Sequence, residues 1–243
     1  MAEAIYAVGD IHGHVEKLQE VLECIERDGG HDAKIVFLGD LVDRGPDSQR
    51  VVETLRLGVA QGRNWTVLKG NHDRMFEYFM EPSPRPDLRL RLDLYWLHER
   101  LGGDKTLMSY GVPFSADAKL GEIHAAALEV VPESHVTFLQ GLPYHLQLDS
   151  QLFVHAGVRP GVALENQSVD DLCWIREPFL SHTGAYPWMV VHGHTPVDQV
   201  THFGNRICVD TGAGYGRALS VAVFEGRSTW ALSKDGRQPL TPM

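Results

Sequence analysis

The chain is 243 residues long, with 43% hydrophobic and 22% charged side chains, which suits one large domain with a substantial core. Its formal net charge of −10 excludes a surface built for the nucleic-acid backbone, although a few arginines and a bound cation can still make one pocket attractive to phosphate. Cys24, Cys173 and Cys208 are odd in number, far apart and without a Cys-x-x-Cys pair, which excludes a disulfide framework and suits a reducing compartment.

Met1-Ala2-Glu3-Ala4 is short and acidic and leads straight into a strand pattern, and no apolar run approaches membrane-spanning length. A cytoplasmic protein without a membrane partner is therefore expected. Ile5-Tyr6-Ala7-Val8 reads as a buried strand ending in Gly9-Asp10-Ile11-His12-Gly13-His14. Asp10 and His12 can converge on one point above the strand end, and a carboxylate with an imidazole suits a divalent transition metal. Asp10 could equally cap the helix that Val15, Leu18, Val21, Leu22 and Ile25 outline; Cys24 falls inside that pattern and is expected buried.

Lys34 to Leu38 reads as a second short strand. It turns sharply at Gly39-Asp40-Leu41-Val42-Asp43-Arg44-Gly45, so two carboxylates and a guanidinium share a tight loop at a strand's C-terminal end. Asp40 can bridge two cations, Asp43 can orient a neighbour and Arg44 can hold a phosphate. Pro46-Asp47 opens a helix carrying Val51, Val52, Leu55 and Leu57. Trp65 to Leu68 is a third strand, ending in Lys69-Gly70-Asn71-His72-Asp73. Three strands, each followed by a Gly-containing polar loop and a helix, predict parallel pairing with all three loops on one edge.

Residues 81–140 change character. Pro82, Pro84 and Pro86 break the helix over Met75–Met80, and a charged, leucine-rich, mostly helical stretch follows to Gly102-Gly103. Ala125–Val130 and His135–Leu139 read as two more helices. The segment is expected to be a helical insertion or cap within a single domain spanning 1–243, serving either as a wall or for substrate selection. Strands follow at Tyr144–Leu148, Gln151–Val154 and Pro187–Val191, with a short helix at Asp170–Glu177 between the last two. The later strands end in His155-Ala156-Gly157 and in His192-Gly193-His194-Thr195-Pro196. Further strand patterns at Arg206–Val209, which holds Cys208, Leu219–Phe224 and Ser228–Leu232 suggest that the second half forms a second sheet.

Five strand ends thus carry Asp10/His12, Asp40/Asp43/Arg44, Asn71/His72, His155 and His192/His194, drawn from thirteen histidines in all. Two divalent ions roughly 3.5–4 Å apart need a bridging carboxylate and about three further ligands each. Asp40 fits the bridge and Asp10 with His12 fits one site. Asn71, His155 and one of His192 or His194 fit the other.

Asp10-x-His12, Gly39-Asp40-x-x-Asp43-Arg44-Gly45, Gly70-Asn71-His72-Asp73, His155 and Gly193-His194-Thr195 resemble the calcineurin-like metallophosphoesterase superfamily. The full forms of the second and third motifs resemble its phosphoprotein phosphatase branch, which includes phage lambda-type and bacterial Ser/Thr phosphatases and symmetrical diadenosine tetraphosphatases. The resemblance implies an α/β fold, a four-layer α/β/β/α sandwich with the metals between two mixed sheets. It implies Asp10, His12 and Asp40 at one ion and Asp40, Asn71, His155 and His194 at the other. The expected cofactors are two divalent ions, manganese first, with Fe, Zn, Ni, Co and Mg as alternatives. Pro196 stands where many relatives carry one more histidine ligand, and His192 has no counterpart among the ligands.

The expected chemistry is hydrolysis by direct in-line attack of a metal-bridging hydroxide. Arg44, Arg176 and Asn71 would bind the phosphate, His72 would protonate the leaving oxygen and Asp43 would orient His72. Trp174-x-Arg176-Glu177 resembles the phosphate-binding arginine element of phage and bacterial protein phosphatases, whereas Lys69 stands where they often have arginine. A phosphorylated protein, phosphoserine or phosphothreonine, is the expected substrate. A dinucleoside polyphosphate is the alternative, with Tyr95, Trp96, Trp188 and Tyr215 as base platforms. A catalytically idle metal-binding scaffold would have no use for His72 and Arg44.

Overall fold

In the computed structural model, which describes residues 3–115 and 118–243, all of β1 (Ile5–Val8) is buried, and its side chains alternate between two cores. Tyr6 and Val8 face a helical layer, while Ile5 and Ala7 face a second sheet. β2 (Lys34–Phe37) divides in the same way, with Ile35 and Phe37 on one side and Val36 on the other. A strand with both faces buried must be apolar throughout, which is why these runs carry no polar alternation. Each such side chain contributes roughly 1.5–3 kcal/mol by leaving water, enough to hold strands of only four residues.

β1, β2 and β3 (Trp65–Val67) pair in parallel, linked by α1 (Val15–Gly29) and α2 (Ser48–Ala60); α3 (Asn71–Phe79) follows β3. The first sheet is completed by β9 (Val221–Glu225), β10 (Ser228–Ser233) and β11 (Gly236–Pro239), in the order β11-β10-β9-β1-β2-β3. The second sheet runs β4-β5-β6-β8-β7, from β4 (His145–Leu148), β5 (Gln151–Val154), β6 (Met189–His192), β7 (Thr201–His202) and β8 (Arg206–Cys208). Phe153, Val191 and Ile207 meet Ala7, Val36 and Phe224 between the sheets. Leu152, Val154 and Val190 face outward onto α7 (Val169–Trp174) and its flanks, through Leu172, Ile175 and Phe179. The expected order of helices, sheet, sheet and helix is therefore present. Among the described residues, no helix is long and apolar enough to cross a membrane.

Three local expectations are corrected. Residues 87–101 form turns instead of helix, and α4 (Gly103–Ser109) begins where the helical stretch was expected to end. The leucines at 88, 90, 92 and 94 recur every second residue, which builds no helical face, and Leu88 and Leu92 stand fully exposed. The tail does not extend the second sheet: β9 pairs antiparallel with β1, so β9 to β11 belong to the first. Cys24 is only half-buried on α1, while Cys173 and Cys208 are buried, and all three are free. α5 (Leu120–Val130) and α6 (Glu133–Gln140) match the expected helices. On α6, His135 is fastened to α2 by an Nε2 contact of 2.9 Å to Glu53, while Tyr110 lies 2.9 Å from its Nδ1.

Candidate active site

β1, β2 and β3 in one sheet, and β5, β6 and β8 in the other, run parallel within their sheets. Their C-terminal ends deliver Asp10, Asp40, Asn71, His155, His194 and Asp210 to one edge of the sandwich. The backbone there is bent. Among the described residues, six other than glycine have positive φ, and five of them are His12 (48°), Asp40 (52°), Asp43 (73°), Arg44 (67°) and His194 (64°). Such conformations cost about 1–3 kcal/mol each and persist where the surroundings over-determine them. Here the His12 and Ile11 amides both donate to Asp40 O, and Gly45 N donates to His12 O. Asp73 ties the second loop to the third by accepting from Asp40 N, Leu41 N and Gly70 N at 2.8–2.9 Å. Asp10 does not cap α1, which starts at Val15; its two oxygens accept the His194 amide at 3.2 and 3.1 Å.

The imidazole tautomers follow from what each ring touches. His155 Nδ1 lies 2.9 Å from Leu38 O, so it must carry the proton and donate. Its Nε2 lone pair then faces Asn71 Oδ1 at 3.0 Å and Asp40 Oδ1 at 3.4 Å. His12 repeats the arrangement: Nδ1–H donates to Val42 O at 2.9 Å, and Nε2 faces Asp40 Oδ2 at 3.6 Å. His194 Nε2 is buried with no hydrogen-bond partner among the described residues. Burial pushes the pKa of all three imidazoles down, which keeps them neutral; the His12 Nε2 lone pair also accepts from Arg44 Nη1 at 2.7 Å. Lone pairs meeting lone pairs without a proton between them repel, and a cation turns that repulsion into ligation. The ligand atoms of Asp40, His155 and His194 lie within 4.8 Å of one another, as do those of His12, Asp40 and His72. The residues present therefore fit divalent metal.

The carboxylates point the same way. Burial raises the pKa of Asp10, and the negative charges of Asp210 and Asp40 raise it further. Burial likewise lifts Asp210, to about 6, with Asp40 adding to it. Three acids gathered in a dry pocket call for compensating positive charge. Arg44 supplies some of it. Its guanidinium forks onto His12 Nε2 at 2.7 Å and His72 Nε2 at 3.1 Å and lies 4.5 Å from the Tyr215 ring centroid. His72 in turn places Nδ1 2.6 Å from Asp43 Oδ2, and Asp43 is fully buried.

The other residues singled out from the sequence divide clearly. Arg176 is exposed, and its charge helps to lower the His194 pKa, after burial and the neighbouring His155. Lys69 is committed elsewhere, to Glu77 at 2.6 Å and Gln140 O at 3.1 Å. His192 is buried, with Nε2 against the Arg206 guanidinium at 3.1 Å, while burial and that positive charge hold its pKa at about 3. Asp210 was not anticipated, although it directly follows the apolar Ile207-Cys208-Val209, much as Asp10 follows Tyr6-Ala7-Val8 after one glycine. Thr106, whose hydroxyl donates to Asp43 Oδ1 at 2.7 Å, was not anticipated either, and no local signal marks it.

The chain is similar to several known proteins. A family model described as calcineurin-like phosphoesterase matches residues 4–221. Serine/threonine-protein phosphatase 1 of Salmonella typhimurium is 28% identical over 232 residues, covering 90% of this chain and 90% of that protein. The asymmetrical bis(5'-nucleosyl)-tetraphosphatase PrpE of Bacillus mycoides is 24% identical over 238 residues, covering 88% of this chain and 87% of that protein. The crystal structure of a cold-active protein-tyrosine phosphatase from a Shewanella species superposes with a TM-score of 0.61 at 17% identity, over 99% of this chain and 81% of that one. That likeness is one of fold.

Proposed function

The chain belongs to the calcineurin-like phosphoesterase family, and within it we propose a dinuclear metal-dependent phosphatase that hydrolyses phosphomonoesters, phosphoserine and phosphothreonine in proteins first among them. The observation that carries this reading is the His155 Nε2 lone pair, fixed by the Leu38 carbonyl and aimed at Asn71 Oδ1 and Asp40 Oδ1. In this reading Asp10, His12 and Asp40 hold one ion, and Asp40, Asn71, His155 and His194 hold the other. Nitrogen and oxygen donors of this kind suit a divalent transition metal such as manganese, iron or zinc, and the family resemblance puts manganese first. When bound, two such ions supply a nucleophile made from water at neutral pH and neutralise charge on the phosphoryl oxygens.

The chain's own groups do the rest. The Arg44 fork, now spread across two imidazole nitrogens, has the spacing to take two phosphoryl oxygens, and Arg176 approaches from solvent. Asn71 is assigned a share in binding the same oxygens. His72 Nε2 accepts from Arg44 Nη2 at 3.1 Å; with the fork turned onto the phosphate that nitrogen is released to take up a proton and pass it to the leaving oxygen, while the Asp43 carboxylate holds the imidazole ring through Nδ1–H. The three free cysteines support a cytoplasmic setting.

Gly193 offers a direct check on Asp10. A Cβ at this position would stand 2.1 Å from Asp10 Oδ1. Gly193→Ala is expected to displace that carboxylate and to weaken one of two manganese-binding steps in calorimetry by about 10- to 100-fold, the scale of losing a ligand's support. Two unchanged steps would remove Asp10 from the ligand set.

The similarity to serine/threonine-protein phosphatase 1 along 90% of both chains supports the peptide reading. Of the expected base platforms, Trp96 is buried, whereas Tyr95 and Tyr215 are exposed, Tyr215 with one face against Arg44. The second reading, a dinucleoside polyphosphate hydrolase, is favoured by the similarity to PrpE along most of both chains. Steady-state kinetics with saturating manganese separates them. The expected result is a higher kcat/KM for a phosphothreonine peptide than for diadenosine tetraphosphate; the reverse order would select the second reading.

A further inference from the structure

Asp43 holds His72, and the residues that hold Asp43 come from residues 81–140. Asp43 is fully buried, so each lone pair left without a donor would be costly. Its Oδ2 accepts from His72 Nδ1 at 2.6 Å and from the Trp96 indole Nε1–H at 2.8 Å. Its Oδ1 accepts the Thr106 hydroxyl at 2.7 Å, a direction forced because a carboxylate oxygen can only accept, and Thr106 Oγ1 in turn accepts the Asp43 amide at 2.8 Å. An indole N–H can only donate, so Trp96, like Thr106, occupies a carboxylate lone pair and fixes where that oxygen points. Trp96 has little freedom to move: it stacks on Phe76 at 5.2 Å and packs on Phe79 at 4.8 Å between ring centroids. Gly102 and Gly103 let the two segments touch. A Cβ on Gly102, whose φ is +86°, would stand 2.3 Å from Arg44 N, and one on Gly103 would stand 2.5 Å from the Trp96 ring.

We propose that Trp96 and Thr106 are positioning residues for proton delivery. They fix the rotation of the Asp43 carboxylate, which fixes the His72 ring so that its Nε2 faces the leaving oxygen. This gives residues 81–140 a part in the reaction, in addition to forming a wall. The proposal rests on the phosphomonoesterase reading above.

A leaving-group comparison tests it. Phenol holds its proton to about pH 10, as tyrosine does, and leaves poorly without an acid. 2,4-Dinitrophenol leaves unaided. Trp96→Phe keeps the stacking and removes only the N–H. It is expected to lower kcat/KM for phenyl phosphate by about tenfold or more, the scale of one hydrogen bond to a charged group. On 2,4-dinitrophenyl phosphate it should change little, with two ions still bound. Thr106→Val should show the same split and Thr106→Ser should restore it. Equal losses on both esters, or none on phenyl phosphate, would overturn the positioning roles. A wild-type enzyme that turned over neither ester would instead overturn the phosphomonoesterase reading beneath them.

Discussion

Asp40→Asn is expected to reduce turnover by more than about a thousandfold and to lower bound manganese from two ions per chain to one or none. Asp40 sits between the two imidazoles whose lone pairs are best defined, with Oδ2 3.6 Å from His12 Nε2 and Oδ1 3.4 Å from His155 Nε2. Oδ1 also accepts the His72 amide at 2.9 Å. An asparagine can keep that one hydrogen bond, so the loop at 39–45 is expected to hold its shape. It loses the negative charge, and its amide nitrogen cannot ligate a cation. Bound metal is worth several kcal/mol of charge stabilisation, and about 4 kcal/mol corresponds to roughly three decades of rate. Elemental analysis of the purified variant alongside steady-state kinetics reads both quantities. An Asp40→Asn variant that retained two ions and full turnover would break the dinuclear assignment at its centre.

The second large effect falls on His72. His72→Ala is expected to cost about 10²–10⁴-fold in kcat on phosphopeptides, the usual worth of a positioned general acid. Because an alkoxide leaves badly, the loss should be largest on serine and threonine phosphates and should shrink on 2,4-dinitrophenyl phosphate. Metal content carries equal weight. The ligand atoms of His72, His12 and Asp40 lie close enough together to hold an ion, whereas the 2.6 Å contact of His72 Nδ1 with Asp43 supports the proposed general acid. Two ions retained with turnover lost supports the acid. One ion lost would make His72 a ligand, and unchanged turnover would take it out of the reaction.

Much of the fold could be read along the chain, because both-face burial leaves a plain trace. Ile5–Val8 and Lys34–Phe37 contain few polar residues, and glycine with polar residues follows each. Val15, Leu18, Val21 and Ile25 recur at helical spacing and are the buried face of α1. The stretch at 87–101 misled, since leucine and charge density suggested a helix that a two-residue period cannot build. Sheet membership of β9 to β11 was also out of reach. Val221–Glu225 has buried residues on both sides, as a strand of either sheet would, and its partner is chosen by backbone pairing with Ile5–Val8.

The same division runs through the site. Local composition already marks which residues come to the edge: Asp10, His12, Asp40, Asp43, Arg44, His155 and His194 sit in polar loops after strands, and Asn71 and His72 open the helix that directly follows such a loop. In parallel strands every such loop must fall on one side. Tertiary structure alone decided what those residues can do. Leu38 O and Val42 O set the tautomers of His155 and His12, and backbone carbonyls have no side-chain signature. Asp210 joins Asp10 only because β8 lies beside β6. Trp96 and Thr106 reach Asp43 across 53 and 63 positions of sequence. Strand ends are written in local composition, whereas a hydrogen bond between distant segments depends on where the packed cores bring them.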